Sequence, residues 1–246
     1  MDAASARERL ARGASIELAP GIVALAEGGL WLPERRVLAV ADLHVGYEAW
    51  HAAHGTTVPR VETRHLSRTL RTLVERLRPD RVVVDGDVVH ARTPRTTLSE
   101  RRALASVLSG AGTADLVLVA GNHDRALADL HEEAPVVTHV EGEVLFAHGH
   151  ATVERPPGAW LVVGHEHPVA RLTPVTGPAL RLPCFLVDAG RRTIVLPALS
   201  PWAAGVVPRS RFHGAALAGA DPRASRVLVQ GEGSLWDFGA LWDGGR

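Results

Sequence analysis

Three short apolar runs, separated by segments of helical periodicity, constrain the fold of this chain more than any other feature. The runs are Val37–Ala41, Arg81–Asp85 and residues 115–120. Residues 61–77 place apolar side chains at helical spacing, and a second helix is expected over 97–108. Apolar strands that alternate with helices are typical of parallel sheets with both faces covered. The first half of the chain is therefore predicted to form parallel α/β units.

The second half changes character, because several apolar runs follow one another with little helical pattern between them. It predicts a second sheet that faces the first. The remaining predicted strands are 16–18, 22–25, 30–32, 136–140, 143–147, 160–163, 180–187, 193–196, 226–230 and 235–238. We expect a single domain over 1–246, with its core at 16–206 and with 207–246 as a C-terminal extension that packs on this core.

Composition and charge exclude several classes of protein. The 246 residues carry 27 basic and 27 acidic side chains, so net charge gives no sign of a nucleic-acid footprint. All the basic residues are arginine, for which genome composition is a simpler explanation than a need for phosphate contacts. The single cysteine cannot form an internal disulfide. Because neither a secretory signal nor a membrane-spanning run is present, we expect a cytoplasmic protein.

Five apolar runs are each followed by a short block that contains residue types able to act as metal ligands. Carboxylate oxygens, an amide oxygen and imidazole nitrogens suit borderline divalent cations. Where the two ligands of a block are two residues apart, as Asp42 and His44 are, an extended backbone points both the same way. The blocks are Asp42-Leu43-His44, Gly86-Asp87, Gly121-Asn122-His123-Asp124, His148-Gly149-His150 and Gly164-His165-Glu166-His167.

These residues divide into two sets of four that share one carboxylate. Asp42, His44, Asp87 and His167 would hold one metal, and Asp87, Asn122, His148 and His165 would hold the second. Two such ions, roughly 3.5–4 Å apart, can acidify a bridging water and neutralise charge on a phosphoryl group. The predicted reaction is in-line attack of this hydroxide on phosphorus.

His123 lies beside Asn122 but is not a ligand in this scheme. An imidazole at the rim of the site could protonate the leaving alkoxide or stabilise the transition state. Asp124 follows, and it could either orient His123 or cap the next helix.

The five ordered blocks resemble the calcineurin-like metallophosphoesterase superfamily, whose ligand positions are all filled across residues 42–167. The resemblance implies an α/β fold in which two sheets form a β-sandwich flanked by helices, in the four-layer αββα order. It also implies a two-metal site at the carboxyl ends of the strands, where ligands bind in open α/β sheets.

Residues without a metal role carry a finer resemblance over roughly 16–206. The segments 41–49 (ADLHVGYEA), His54-Gly55, Val58-Pro59, 182–186 and 196–205 are similar to the prokaryotic branch of ligase-associated DNA damage response endonucleases (PdeM-like). This resemblance implies a DNA substrate, a role in DNA repair with repair proteins as partners, and Mn²⁺ as the activating ion. Mg²⁺, Fe²⁺, Co²⁺ and Zn²⁺ remain alternatives.

His90 departs from one branch of the superfamily. In the serine/threonine protein phosphatases, an aspartate stands three positions after the shared Asp and orients the catalytic histidine. The run Gly86–His90, followed by Pro94, is instead similar to the double-strand-break repair nucleases, in which a histidine here is linked to catalysis. His90 is therefore a candidate catalytic residue, although a rim position without a catalytic role fits the sequence almost as well.

Arginines and aromatic residues near the blocks are candidates for substrate contacts. Arg92 and Arg95 follow His90 and Arg125 follows Asp124, so all three could pair with phosphate oxygens or simply be solvated. Tyr47 and Trp50 could stack on a base, but packing in the core is the simpler interpretation.

Three functions fit the sequence. The first is a metal-dependent phosphodiesterase that acts on DNA as an endo- or exonuclease. No membrane is expected among its partners. The alternative is a phosphatase or cyclic-nucleotide phosphodiesterase for a small phosphorylated molecule, because attack on phosphorus is common to both. The third, a protein-binding scaffold with a vestigial site, is disfavoured by the intact ligand set.

Overall fold

The computed structural model describes residues 12–90, 97–129, 134–174, 176–208 and 211–240. The helices are α1 (Tyr47–Ala53), α2 (Glu62–Leu77) and α3 (Leu98–Leu108), with short 3₁₀ helices at Ser109–Ala111, Asp124–Asp129, Ala215–Leu217 and Pro222–Ala224. The strands are β1 (Arg12–Gly13), β2 (Ser15–Ala19), β3 (Ile22–Leu25), β4 (Leu30–Leu32), β5 (Val37–Ala41), β6 (Arg81–Asp85), β7 (Asp115–Val119), β8 (His139–Glu141), β9 (Val144–Phe146), β10 (Trp160–Val163), β11 (Val169–Leu172), β12 (Leu180–Asp188), β13 (Thr193–Val195), β14 (Arg226–Gly231) and β15 (Ser234–Asp237).

The first sheet has the order β2-β3-β4-β5-β6-β7 within the described ranges. Strands β2 to β5 pair antiparallel, whereas β5, β6 and β7 are parallel and are connected through the helices. The predicted α/β units are confirmed. Thr97 begins α3 as its N-cap, since its hydroxyl accepts a bond from the Glu100 amide while the Glu100 carboxylate accepts one from the Thr97 amide.

The second sheet has the order β1-β15-β14-β12-β13-β10-β9-β8, and β11 pairs with β12 beside it. Strands β9 and β10 are parallel, and so are β10 and β13. Strand β14 lies antiparallel to β12, with Val229 opposite Cys184. Residues 226–237 are thus part of the second sheet, inside the segment that the sequence predicts to pack on the core.

The two sheets face each other across a buried core, which confirms the predicted two-sheet architecture. On β5, Ala39 faces the second sheet and contributes to a cluster with Phe146 and Phe185, while Leu38 and Val40 face the helices. Helices α2 and α3 cover the outer face of the first sheet. The outer face of the second sheet packs against the segment around Leu217.

Two local elements differ from the sequence-based expectations. Helix α1 was not predicted, because none of its residues is buried and it therefore lacks an apolar period. The strand expected over 136–140 is shorter, since only His139–Glu141 forms a strand and Val136 makes a single bridge to Val119. Val137 is 77% exposed, so this apolar run has no buried face to hold it in a sheet. In the described ranges no helix has the length and apolar character needed to cross a membrane.

Candidate metal centre

All five sequence blocks meet at one edge of the two sheets. The blocks that follow β5, β6 and β7 lie together because the carboxyl ends of parallel strands share an edge. The blocks that follow β9 and β10 approach the same place from the facing sheet: His148 Nδ1 lies 3.6 Å from Asp42 Oδ1. The fold therefore gathers residues that are more than 120 positions apart in the chain.

A first group contains two carboxylates and two imidazoles. His44 Nε2 lies 3.2 Å from His167 Nε2 and 3.7 Å from Asp87 Oδ2. His167 Nε2 lies 3.5 Å from Asp42 Oδ1. One potential ligand atom from each of the four residues falls within 4.8 Å of the others. This is the first predicted set of ligands, assembled around a point that one cation could occupy.

A second group adjoins the first through Asp87. His148 Nε2 lies 3.4 Å from Asp87 Oδ1, 3.2 Å from Asn122 Oδ1 and 3.2 Å from His165 Nδ1. Asp87 therefore presents Oδ2 to His44 and Oδ1 to His148. A carboxylate between two groups, with one oxygen toward each, is the arrangement that the sequence predicts for a shared ligand.

The backbone is strained at five of the seven predicted ligands. Their φ angles lie between 42° and 64°, in the left-handed region that side chains disfavour, at Asp42, His44, Asp87, His165 and His167. Such residues cost about 1–3 kcal/mol each and persist only where the surroundings hold them. Here the loops brace each other, because the Asp42 and His44 amides donate to the carbonyls of Gly86 and Asp87.

Glycines beside the ligands allow the close approach. A Cβ on Gly86 would lie 2.0 Å from Nδ1 of His148, and a Cβ on Gly121 would lie 2.1 Å from Oδ1 of Asp87. Neither contact can be relieved easily, since the side chains of His148 and Asp87 are at most 3% exposed. The glycines are required by packing at the centre.

The donor set fits divalent metals. Within the described residues, Asp42 Oδ1, His44 Nδ1 and His148 Nδ1 are buried without a hydrogen-bond partner. Imidazole nitrogens also face each other at 3.2 Å in both groups, an arrangement that a shared cation stabilises. Because Asp87 contributes to both groups, the residues present can accommodate two ions.

Burial and neighbouring charges give the imidazoles of the cluster different pKa values. Burial lowers the pKa of His44 and of His165 to about 4, which leaves both rings in the neutral form that binds metals. Burial also opposes ionisation of His148, but the hydrogen bond to Asp87 and the charge of Asp42 overcome it and raise its pKa to about 9. The same bond to His148 overcomes the effect of burial on Asp87 and lowers the pKa of this carboxylate.

His123 lies at the rim, with its ring orientation fixed by His90. Its Nδ1 is 2.8 Å from the carbonyl oxygen of His90, which can only accept, so Nδ1 carries the proton. Its Nε2 faces the cluster, 3.9 Å from Asp87 Oδ2. The orienting group is thus the backbone of His90. The His90 ring lies alongside that of His123, with centroids 5.5 Å apart, and burial followed by the charges of His44 and His123 lowers its pKa to about 4.

Asp124 connects two ligand loops. Its carboxylate accepts bonds from the amides of Val89 and Gly121, at 3.0 and 2.8 Å, and burial raises its pKa to about 6. It is also the first residue of a 3₁₀ helix. Among the predicted phosphate contacts, Arg125 is exposed beside it. Arg92 and Arg95 lie outside the described residues.

Two further carboxylates are buried near the cluster, of which the sequence patterns did not single out Asp85. Asp85 ends β6 with both oxygens buried and without a hydrogen-bond partner in the described chain, and burial raises its pKa well above the usual value. Glu166 accepts bonds from the amides of His213 and Gly214, and so attaches the C-terminal segment to a ligand loop. The position of Glu166 between two predicted ligands was the only available signal.

Tyr47 and Trp50 lie on α1 beside the cluster rather than in the core. Both are half-buried. Their rings lie 4.8 and 5.4 Å from that of His90, and Tyr47 stacks on Trp202 at 6.2 Å. The aromatic side chains therefore border the metal-ligating residues through His90.

Comparison with known proteins places the chain in a family. The profile of the calcineurin-like phosphoesterase family matches residues 35–179, more than half of the chain. Among solved structures, the Pseudomonas putida nuclease MPE is 27% identical with a TM-score of 0.62, over 91% of this chain and 98% of that one. The phosphoesterase YfcE from E. coli is 19% identical, with a TM-score of 0.41 over 69% of this chain and 83% of that one. Comparison with curated proteins gives no significant match. The chain belongs to the calcineurin-like phosphoesterases, a family of metal-dependent enzymes whose members use two divalent metals.

Proposed function

We propose that this protein is a phosphodiesterase that cleaves DNA in a repair process in the cytoplasm, with Mn²⁺ as its activating ion. One observation carries the proposal: the carboxylate of Asp87 stands between two ligand groups, with one oxygen toward His44 and the other toward His148. This is the arrangement that two-metal hydrolysis of phosphate esters requires.

A nucleic-acid substrate is favoured over a small molecule by the comparison with a nuclease. The likeness covers 91% of this chain and 98% of the nuclease chain. In the centre itself, the position three after Asp87 is a histidine whose ring borders Tyr47 and Trp50. Aromatic side chains of this kind can stack on bases.

His123 is the proposed general acid. Two divalent cations, when bound by the clustered residues, supply an acidified water and neutralise charge on the phosphoryl group. The His90 carbonyl holds the Nδ1 proton of His123, so that in the doubly protonated ring Nε2 is the atom that gives its proton to the leaving oxygen, and the ring is left neutral. The Asp87 carboxylate accepts a bond from the His123 amide at 2.9 Å, which holds the acid beside the shared ligand.

The other residues position this arrangement. Asp124 joins the loop that ends in His90 to the loop that carries Asn122, because it accepts bonds from Val89 and Gly121. We therefore assign Asp124 a positioning role. The ring of His90 limits the space beside His123, and Arg125 is a proposed contact for a phosphate oxygen at the rim.

Nicking of a closed circular plasmid tests this function. The protein is stripped of metal and assayed with Mn²⁺, with Mg²⁺ and with no metal, and the Asp87→Ala variant serves as the control. We expect Mn²⁺-dependent nicking that is lost in the variant. A linear single strand and a linear duplex labelled at either end would then distinguish internal cleavage from cleavage at ends.

The same assay separates the alternative function. If neither circular nor linear DNA is cleaved, while an aryl phosphodiester or phosphomonoester is hydrolysed, the substrate is a small phosphorylated molecule. If neither class of substrate is hydrolysed with any divalent metal, the enzymatic proposal fails and a scaffold role takes its place.

A further inference from the structure

A cavity of about 700 Å³ opens between helices α2 and α3, next to the metal-ligating loops. Gly46, two residues after His44, lies at its rim, and the Gly46 amide donates to Glu62 Oε2 at 2.8 Å. Both helices follow strands of the parallel part of the first sheet, so their N-terminal ends lie at the edge that carries the ligands. The cavity therefore begins beside the loop that follows His44 and extends along the outer side of the molecule.

Four arginines line this cavity: Arg60, Arg64, Arg68 and Arg71. The last three stand at positions i, i+4 and i+7 of α2, which places them on one face of the helix. All four are exposed. Like charges at such spacing destabilise a helix by about 0.2–0.5 kcal/mol per pair. An anion along this face would remove the repulsion.

None of the four guanidinium groups has a carboxylate partner within the described part of the chain. By contrast Arg76, farther along the same helix, makes two bonds to Glu27 at 2.5 and 3.0 Å. Three carboxylates also line the cavity, and each accepts a hydrogen bond from another group; the second oxygen of Glu62, Oε1, is buried without a partner in the described chain. Glu48 accepts bonds from the Glu62 amide and the Trp202 indole. The Glu100 carboxylate accepts two bonds from Thr97, from its amide and its hydroxyl.

We propose that this cavity binds the phosphate backbone of a nucleic-acid strand whose scissile bond lies in the metal centre. The proposal rests on the function proposed above. A linear array favours a polyanion over a single phosphate, since Arg64 and Arg71 are separated by about 10 Å along the helix axis. A site for one phosphate would need guanidinium groups that converge on one point. Arginine pairs with phosphate through two parallel bonds, and the strand would receive one such contact at each position.

Binding without cleavage provides the test. A fluorescein-labelled single strand of about 20 nucleotides is titrated with protein in EDTA, and its anisotropy is followed at several salt concentrations. The test variant is Arg64→Ala with Arg68→Ala. The matched control is Arg101→Ala with Arg102→Ala, which removes the same charge from exposed positions of α3 outside the cavity. Thermal unfolding checks that both variants are folded.

The test variant should bind the strand at least about tenfold more weakly than wild type at low salt. Each phosphate contact contributes about 0.7 to the slope of log K against log salt for single strands, so the slope should become shallower by about 1.4. The control should bind as the wild type does. Equal losses in both variants, no loss in the test variant, or no binding by the wild type would each overturn the proposal.

Competitors separate other occupants of the cavity. Displacement of the strand by dAMP at the same total phosphate would assign the cavity to a small anion, and stronger displacement by polyglutamate would assign it to an acidic protein. Either result overturns the strand assignment. Failure of the proposed function is distinguishable, because it would appear as absence of metal-dependent nicking whatever the arginines bind.

Discussion

Nine non-glycine residues of the described chain have left-handed backbone angles. They lie in two kinds of region, exposed turns and the edge that carries the predicted metal ligands. Four lie in exposed turns: Arg36, Arg78, Arg192 and Glu232. The other five are predicted metal ligands, which are buried or half-buried. In the turns the angle reverses the chain, as where the Arg78 amide closes α2 on the Val74 carbonyl at 2.8 Å.

At the metal edge the same backbone angle sets the direction of the side chain. Each strained residue turns its carboxylate or imidazole toward a common point, and the neighbouring backbone comes close enough that only glycine fits. A turn can therefore tolerate substitution, whereas the metal edge depends on several contacts at once. The comparison leads to predictions in which matched changes in the two regions should have very different effects.

The largest expected effect comes from glycine substitution. In Gly86→Ala the new Cβ would lie 2.0 Å from His148 Nδ1, and the buried ring has no room to move. We expect a loss of about 4 kcal/mol or more in the free energy of unfolding. In Gly21→Ala the backbone is also left-handed, but nothing lies within 4 Å of the added carbon, so the loss should be about 1 kcal/mol. Urea denaturation in EDTA measures both, and equal losses would contradict the comparison.

Removal of a carboxylate charge should affect activity in only one region. Asp87→Asn preserves shape but removes the shared anionic ligand, so phosphodiesterase activity should fall more than about 100-fold, beyond the 10–100-fold typical of groups that merely orient a ligand. The matched variant is Asp80→Asn, whose side chain is 70% exposed and bonds Arg36 at 2.9 Å in a turn. Because exposed pairs contribute little, it should keep full activity. A similar loss in both variants would argue against Asp87 as a ligand.

The sequence predicts those parts of the molecule in which burial imposes a pattern on the side chains, and it misses the parts in which burial does not. The parallel strands and α2 were predictable because burial imposes a period on their side chains, as it does at Leu66, Leu70 and Leu73. The ligand blocks were predictable as residue types that follow these strands. Helix α1 was not, since it buries nothing. The arginines of the cavity were not either, because only the packing of α2 against α3 shows that they lack a carboxylate partner among the described residues.

The position of Asp124 shows another limit of sequence reasoning. Its neighbour His123 suggested a pair, or else a helix cap, and the residue type alone could not decide between them. The folded chain brings Val89, 35 positions away, to its carboxylate. Contacts that depend on how two loops meet are set by tertiary packing, and no local pattern encodes them.

Metal removal should lower the stability of the folded chain only when the ligands at the metal edge are intact. If the clustered residues hold Mn²⁺ at a concentration of 100 times its Kd, binding stabilises the folded chain by about 2.7 kcal/mol. For a chain of this size, the Tm should then rise by roughly 5–10 °C over the value in EDTA. Differential scanning fluorimetry measures the shift, which Asp87→Asn should remove and Asp80→Asn should keep. An equal shift in Asp87→Asn would mean that the ion binds elsewhere.

The last expected effect is a pH dependence that concerns Glu62, which braces the loop after His44 from the helix side. Burial raises its pKa from 4.5 to about 8, with a further increase from the charge of Glu48 that backbone bonds from Gly46 and Tyr47 only partly offset. Between these values the folded chain binds a proton that the unfolded chain releases, so stability falls as the pH rises from about 4.5 to 8. Glu62→Gln stays neutral and can keep the bond from the Gly46 amide.

The free energy of unfolding of Glu62→Gln should therefore increase relative to wild type as the pH rises from 5 to 8. The side chain is only 1% exposed, so water screens this effect little. Urea denaturation at both pH values in EDTA gives the difference without a contribution from bound metal. In a turn, Asp80→Asn should show no such dependence, since its carboxylate is exposed. A constant difference between wild type and Glu62→Gln would mean that Glu62 is ionised in the folded chain, and that the loop beside the metal ligands tolerates a buried charge.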